Sequence, residues 1–220
     1  MGDINQYYFL QHELERTKQT FNNVLDIGSK DHGNVQSFRD FVKYDNYVGI
    51  DMEDGPNVDH VIDLTKSIGP LKEKSFDLTI CCSVLEHVTK PWLFAENVTK
   101  LTADNGLLYV SVPFIWKYHG YPNDYYRYTH NGLKQVFDEF HFEKSYFSTY
   151  GANQIFEITS DDRFARDLSY LSLRLKNDKL RFYKNNDLIP NPKYGLDLRE
   201  TDEPQKAISY IQILMIGQKK

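Results

Sequence analysis

Asn23-Val-Leu-Asp-Ile-Gly28 decides the fold of this chain. Val24, Leu25 and Ile27 make a short apolar strand, and Gly28 ends it with a residue that permits a sharp backbone turn. The same figure recurs downstream. Tyr47-Val-Gly-Ile50 runs into Asp51, and His60-Val-Ile62 runs into Asp63. Phe76-Asp-Leu-Thr-Ile-Cys-Cys82 and Gly106-Leu-Leu-Tyr-Val-Ser-Val112 supply two longer strands. Helical spacing lies around and between them. Tyr7, Leu10, Leu14 and Phe21 predict a helix over 5–20, and Val35, Phe38 and Val42 another over 34–42. Pro91 opens a third, in which Trp92, Ala95 and Val98 form the buried stripe. Strands alternating with helices build βαβ units, so the expected fold class is α/β, with a mostly parallel sheet and right-handed crossovers. Two final strands, 140–150 and 207–216, have no clean crossover between them, which predicts an antiparallel last strand. Residues 151–206 are then an insertion between these two strands, within a single domain spanning 1–220. Phe164, Leu168, Leu171 and Leu175 predict a helix there, and 184–206 reads as a polar loop with Pro190, Pro192, Gly195 and Pro204.

Composition narrows the class. The chain has 220 residues, 40% of them apolar, enough for one α/β core and too apolar for a disordered chain. No apolar run approaches the roughly 20 residues that span a bilayer. The first residues lack the basic and apolar regions of a secretory signal, so a cytoplasmic protein is expected. The formal net charge is −5, and no block of Lys or Arg forms the stripe that a duplex-binding protein usually shows, so no nucleic-acid partner is expected. Cys81 and Cys82, the only cysteines, are adjacent. They suit neither a structural disulfide nor a zinc site, and no metal is expected.

Asp26, Asp51 and Asp63 sit at the carboxyl ends of three successive strands, the edge at which open α/β sheets bind ligands. A carboxylate at Asp51 is placed to accept hydrogen bonds from both hydroxyls of a ribose, and Asp63 from an adenine amino group. Gly28 lets the backbone approach such a ligand closely. A dinucleotide would need its pyrophosphate cradled by G-x-G-x-x-G, but Gly28-Ser-Lys-Asp-His-Gly33 does not complete that fingerprint. S-adenosylmethionine carries an adenosine and no phosphate, and is the favoured cofactor. The structural alternatives are that Asp26 caps a helix or bonds local backbone, and that Asp51 is a turn residue.

Val24-Leu-Asp-Ile-Gly28, Tyr47-Val-Gly-Ile-Asp51, Asp63-Leu64 and Phe76-Asp-Leu-Thr-Ile-Cys-Cys-Ser-Val-Leu-Glu-His-Val88 together resemble the ordered motifs of class I S-adenosylmethionine-dependent methyltransferases. The resemblance covers about residues 20–150 and the last strand. It implies a Rossmann-like, seven-stranded sheet in order 3-2-1-4-5-7-6 with helices on both faces. It also implies Asp51 on the ribose, Asp63 and Leu64 at the adenine, Gly28 by the methionine part, and Ser83 close to the cofactor. The Leu-Glu-His-Val ending is typical of small members acting on metabolites or glycans. Lys30 departs from the pattern: the family usually has a glycine there, and a long side chain either crowds the methionine end or points to solvent.

The acceptor is expected beside the segment after the fifth strand, which carries His119, Pro122, Asp124, Tyr125, Arg127 and Thr129. It resembles a His-x-x-Pro-x-Asp-Tyr-aromatic-Arg-x-Thr signature of a methyltransferase subgroup often found beside glycan-building enzymes. Transfer to a hydroxyl benefits from a general base, and His119, then His87, are the candidates. Arg127 is a candidate clamp for an acidic acceptor group, and Asp124 for orienting a partner. The structural alternatives are an Asp124–Arg127 loop salt bridge, tyrosines in the core, Thr129 as a helix N-cap, and Glu86 and His87 merely packed in their loop. Methyl transfer to a small-molecule or glycan acceptor, most simply at oxygen, is the leading function. A nicotinamide-dependent oxidoreductase or sugar-modifying enzyme, and a non-catalytic methyltransferase-like subunit, remain as alternatives, and a homodimer stays open.

Overall fold

A computed structural model of the chain describes residues 4–33, 37–120, 122–149, 155–161, 172–176, 179–184, 187–188 and 210–220. In chain order the elements are α1 (Ile4–Thr17), β1 (Phe21–Ile27), β2 (Tyr44–Asp51), β3 (His60–Val61), β4 (Phe76–Cys82), α2 (Pro91–Leu101), β5 (Thr102–Ile115), α3 (His130–Val136), β6 (Phe140–His141), β7 (Tyr146–Thr149), β8 (Ile155–Glu157), β9 (Ser172–Lys176), β10 (Lys179–Lys184), β11 (Asp187–Leu188) and β12 (Ile211–Lys219). The main sheet runs β3-β2-β1-β4-β5-β12-β7-β8, with β6 also on β12. The pairings among β1 to β5 are parallel, and β12 is antiparallel to β5 and β7. With β7 as the sixth strand and β12 as the seventh, this is the expected 3-2-1-4-5-7-6 order, extended by β8. A second, antiparallel sheet has the order β11-β10-β9.

The two-residue period of the strands sorts the core into two layers. Leu25, Ile27, Ile50, Cys81, Leu108, Val110 and Val112 face Phe94, Ala95, Val98 and Leu101 of α2 and Leu133 of α3. Val24, Tyr47, Leu78, Ile80, Tyr109 and Leu214 face Tyr7, Phe9, Leu10 and Leu14 of α1, with Phe38 and Val42. Helices therefore cover both faces. Register brings Ile27 level with Ile50 and Cys81, and Cys82 level with Ser111. The residues that follow β1, β2 and β4 thus emerge at one edge, beside the last residues of β5.

Several boundaries differ from the sequence reading. α1 ends at Thr17, whose hydroxyl donates back to the Glu13 carbonyl, and Lys18 at φ 53° breaks the helix in the left-handed region. Of the helix expected over 34–42, residues 34–36 lie outside the described residues, and 37–42 hold only a 3-10 turn at Phe38–Asp40, capped by the Ser37 hydroxyl, before β2 begins. Phe38 and Val42 are nonetheless buried as the spacing required; Val35 lies outside the described residues. Trp92 is exposed, and the buried stripe of α2 is Pro91, Phe94, Ala95, Val98 and Leu101. The expected strand 140–150 is split into β6 and β7 because the Phe142 ring turns onto Gly217, where a Cβ would lie 2.6 Å from that ring. Residues 155–157, expected in the insertion, form β8 of the main sheet. Leu175 lies in β9 rather than in a helix, while Phe164, Leu168 and Leu171 lie outside the described residues. The 184–206 stretch expected as loop begins with the end of β10 and includes β11; its remainder lies outside the described residues.

Candidate active site

The carboxyl edge of the sheet collects the residues read as ligand-binding. Gly28 has φ 78° and its amide donates to the Ile50 carbonyl at 2.8 Å. A Cβ there would lie 2.4 Å from Cγ2 of Val84. The close approach that requires glycine is thus to the turn after β4. The Asp51 carboxylate accepts the amides of Lys30 at 3.2 Å and Glu53 at 3.1 Å, one on each oxygen. An ionised carboxylate has about four acceptor positions, which leaves room for two ribose hydroxyls. The Lys30 side chain packs over Gly55 and pairs with Glu53 at 2.7 Å. It is carried to the β2 side of β1, away from the turn after β4.

Asp63 accepts from the Thr65 amide and hydroxyl and pairs with Lys66 at 2.9 Å. Burial works to raise its carboxyl, but the bonds from Thr65 and Lys66 outweigh it and hold the group below the ordinary carboxylate range. Leu64 is buried in the core, and its carbonyl accepts from Asn97 of α2 at 2.9 Å. Asp26 shares a face of β1 with Val24, turned toward the α1 layer. It is buried and accepts the Tyr47 hydroxyl at 2.8 Å, and burial pushes its carboxyl up to about 7. Ser83, at φ 55°, accepts from Gln6 at 2.9 Å and Gln212 at 3.1 Å. The same two amides reach Ser111, so a buried polar network ties α1, β5 and β12 to the turn after β4. The sequence reading missed Gln6, Gln212 and Tyr47. A signal existed: Gln6 shares a helical stripe with Leu10 and Leu14, and Gln212 interrupts an apolar strand.

The segment after β5 is laced onto the 3-10 turn at Leu85–His87. The Tyr125 and Tyr126 amides donate to the Glu86 carbonyl, the Tyr128 hydroxyl to the Leu85 carbonyl, and His87 Nδ1 pairs with the Asn123 carbonyl at 2.7 Å. Asp124, almost fully buried, forms a two-pronged ion pair with Arg127 and accepts the His119 amide at 3.0 Å; its Oδ2 lies 3.1 Å from His119 Nδ1. The bond from Arg127 holds the Asp124 carboxyl down at about 2. Arg127 spends its donors on Asp124 and on the carbonyls of Trp116, Lys117 and Tyr126, so it braces the loop. Thr129 is an N-cap, accepting the Gly132 amide at 3.0 Å. Tyr128 is core, while Tyr118 and Tyr125 are exposed. The His87 and His119 rings meet edge to face at 5.0 Å, and the buried Glu86 carboxylate lies between them and the protein interior. Burial pushes Glu86 up to about 8 and lowers His87. A groove of about 280 Å³ lined by Phe9, Leu14, Tyr146 and Ile216 lies at the opposite edge, near the starts of β4 and β5, and contains none of these groups.

Residues 3–183 match the family model described as a methyltransferase domain. The chain belongs to this family: it is a methyltransferase, and its cofactor is S-adenosylmethionine. Solved structures share the fold. A SAM-dependent methyltransferase from Archaeoglobus fulgidus aligns with TM-score 0.53 and 12% identity, over 97% of this chain and 94% of that one. The YcgJ protein of Bacillus subtilis aligns with TM-score 0.55 and 12% identity, over 97% and 99%. The N-methyltransferase NodS from Bradyrhizobium japonicum, solved with S-adenosyl-L-homocysteine, aligns with TM-score 0.51 and 10% identity, over 98% and 86%. No curated protein sequence matches the chain. Family membership removes the nicotinamide-dependent alternative. Among the described residues, no helix is long and apolar enough to cross a membrane.

Proposed function

We propose that the chain methylates a hydroxyl oxygen of a small-molecule or glycan acceptor. The observation that carries this reading is the pair of imidazoles at the carboxyl edge of β4 and β5. Each has Nδ1 against a carbonyl or carboxylate, leaving Nε2 to face the same small space. When bound, S-adenosylmethionine supplies a methyl group on a positively charged sulfur. The chain must align the acceptor, exclude water and take up the hydroxyl proton. His119 takes that proton at Nε2, Asp124 fixes the ring that receives it, Arg127 holds Asp124, and His87 borders the acceptor. The exposed rings of Tyr118 and Tyr125 offer faces for a sugar. Asp51 holds the ribose, Asp63 and Leu64 the adenine, and Gly28 and Ser83 the methionine end, with Asp26 behind β1. We read 1–220 as one domain in which 151–206 borders the acceptor entrance or a second copy of the chain.

The test is transfer of labelled methyl from S-adenosylmethionine to a panel of hydroxylated metabolites and glycans. The product should be a methyl ether. His119→Ala should lower turnover about a hundredfold or more with cofactor affinity unchanged. Label found on nitrogen or carbon, or near-parent turnover in the variant, refutes the reading.

A further inference from the structure

We propose that Glu86, His87 and His119 bind a divalent first-row transition-metal cation, with zinc as the representative ion, in an open site with three protein ligands. Three side chains of ligand type converge there. His87 Nε2 and His119 Nε2 each lie 3.9 Å from Glu86 Oε1, and one ligand atom from each residue fits within 4.8 Å of the others. Bonds of about 2.0–2.1 Å to a tetrahedral zinc put ligand atoms roughly 3.3 Å apart, so rotamer adjustments of under about an ångström close the set.

Glu86 supplies an independent observation. Its side chain is 1% exposed, and among the described residues no other residue donates a hydrogen bond to either carboxylate oxygen. At 3.9 Å the imidazole nitrogens are too distant to be donors. A buried carboxyl group that takes no hydrogen bond from another residue is costly, and natural proteins rarely leave one so. Arg127 lends Glu86 some of its charge but, paired with Asp124, donates no hydrogen bond to it. A cation between Glu86 and the imidazoles satisfies the carboxylate and balances its charge.

The outer contacts agree. Metal-bound histidines typically donate the other ring N–H to a carbonyl or carboxylate, which fixes the lone pair on the ligating nitrogen. His87 Nδ1 meets the Asn123 carbonyl at 2.7 Å, and His119 Nδ1 lies 3.1 Å from Asp124 and 3.2 Å from the Lys117 carbonyl. Two imidazoles and one carboxylate suit zinc and its neighbours, whereas calcium and magnesium prefer oxygen alone. The His87 and His119 side chains are 15% and 29% exposed, which leaves an entry path and free coordination positions on the solvent side.

Occupancy is independent of the methyl-transfer reading, but its use rests on it. Metal ligation and proton uptake compete for the same lone pair of His119. In a loaded protein the cation would supply Lewis-acid activation of an acceptor hydroxyl, whose proton would pass to solvent, and the role of His119 would be to hold the cation. The test uses the full chain, stripped with a chelator and dialysed, and titrated with zinc against a chromophoric competitor. One equivalent should bind, and cobalt should give the visible spectrum of a four- or five-coordinate site. Glu86→Gln, His87→Ala and His119→Ala should each weaken binding tenfold or more; the two histidine variants lie at partly exposed positions and keep the test alive if Glu86→Gln does not fold. No binding by the parent, or parent-like affinity in folded variants, overturns the site. A protein that binds zinc at these residues but methylates no hydroxyl keeps the site and loses the preceding reading. One that binds no zinc and methylates hydroxyls does the reverse.

Discussion

Replacing Asp26 with asparagine should remove one large pH-dependent contribution to the stability of this protein. Asp26 is buried on the α1 face of β1, with the Tyr47 hydroxyl 2.8 Å away. Burial, partly offset by that hydrogen bond, moves its carboxyl from an ordinary 3.8 to about 7. At 1.36 kcal/mol per pH unit, this separation corresponds to about 4 kcal/mol of preference for the neutral form. The sign follows from the raised value. Below about pH 4 the carboxyl is neutral in both folded and unfolded chains, and its contribution is fully present. Between about pH 4 and pH 7 the unfolded chain ionises while the folded one does not, so stability falls as pH rises; beyond about pH 7 the loss levels off. The Asp26→Asn side chain keeps the shape and an acceptor for Tyr47 but cannot ionise. Urea unfolding of both proteins at several values from pH 4 to pH 8 should show the variant gaining on the parent by up to about 4 kcal/mol across that window. A difference that stays flat with pH refutes the reasoning. Calorimetry with S-adenosylmethionine on the same variant also asks whether Asp26 acts on the cofactor or only supports the sheet beneath it.

Other perturbations read the cofactor edge. Asp51→Ala should cost on the order of 2–4 kcal/mol, or roughly 30- to 1,000-fold in cofactor affinity; a dissociation constant within threefold of the parent counts against the ribose assignment. Gly28→Ala forces a side chain into left-handed backbone and against Val84, and thermal or urea unfolding should show a loss of about 2 kcal/mol or more. Adding Val84→Ala should relieve the clash but not the backbone strain, so full recovery would be contrary to expectation. Deleting 184–206 should leave cofactor affinity within about threefold, and abolished binding in a still-folded protein would show that the segment belongs to the cofactor site.

The strands and their ligand edge were legible because local pattern encodes them. An apolar run closed by Gly28, Asp51 or Asp63 marks both a buried strand and the point where the chain leaves it, and parallel pairing then puts all such points on one side. The antiparallel last strand was legible for the same reason, while the strand order came from the resemblance to a family. Turn-scale detail was not local. The split between β6 and β7 depends on Phe142 meeting Gly217, and the path of Lys30 on Gly55 and Glu53, contacts between segments far apart in sequence. Trp92 and Phe94 are both apolar residues near the start of one helix, and only the layer against which α2 packs decides which is covered. Adjacent cysteines suggested that no metal would bind, but that argument is silent about ligands of other kinds. Glu86 and His87 meet His119, over thirty residues away, because the loops after β4 and β5 leave neighbouring parallel strands at the same edge. The sequence determined which side chains are present and at which strand ends. The tertiary structure alone decided that two imidazoles would share a space with a buried carboxylate, because burial and convergence are properties of packed elements rather than of any one of them.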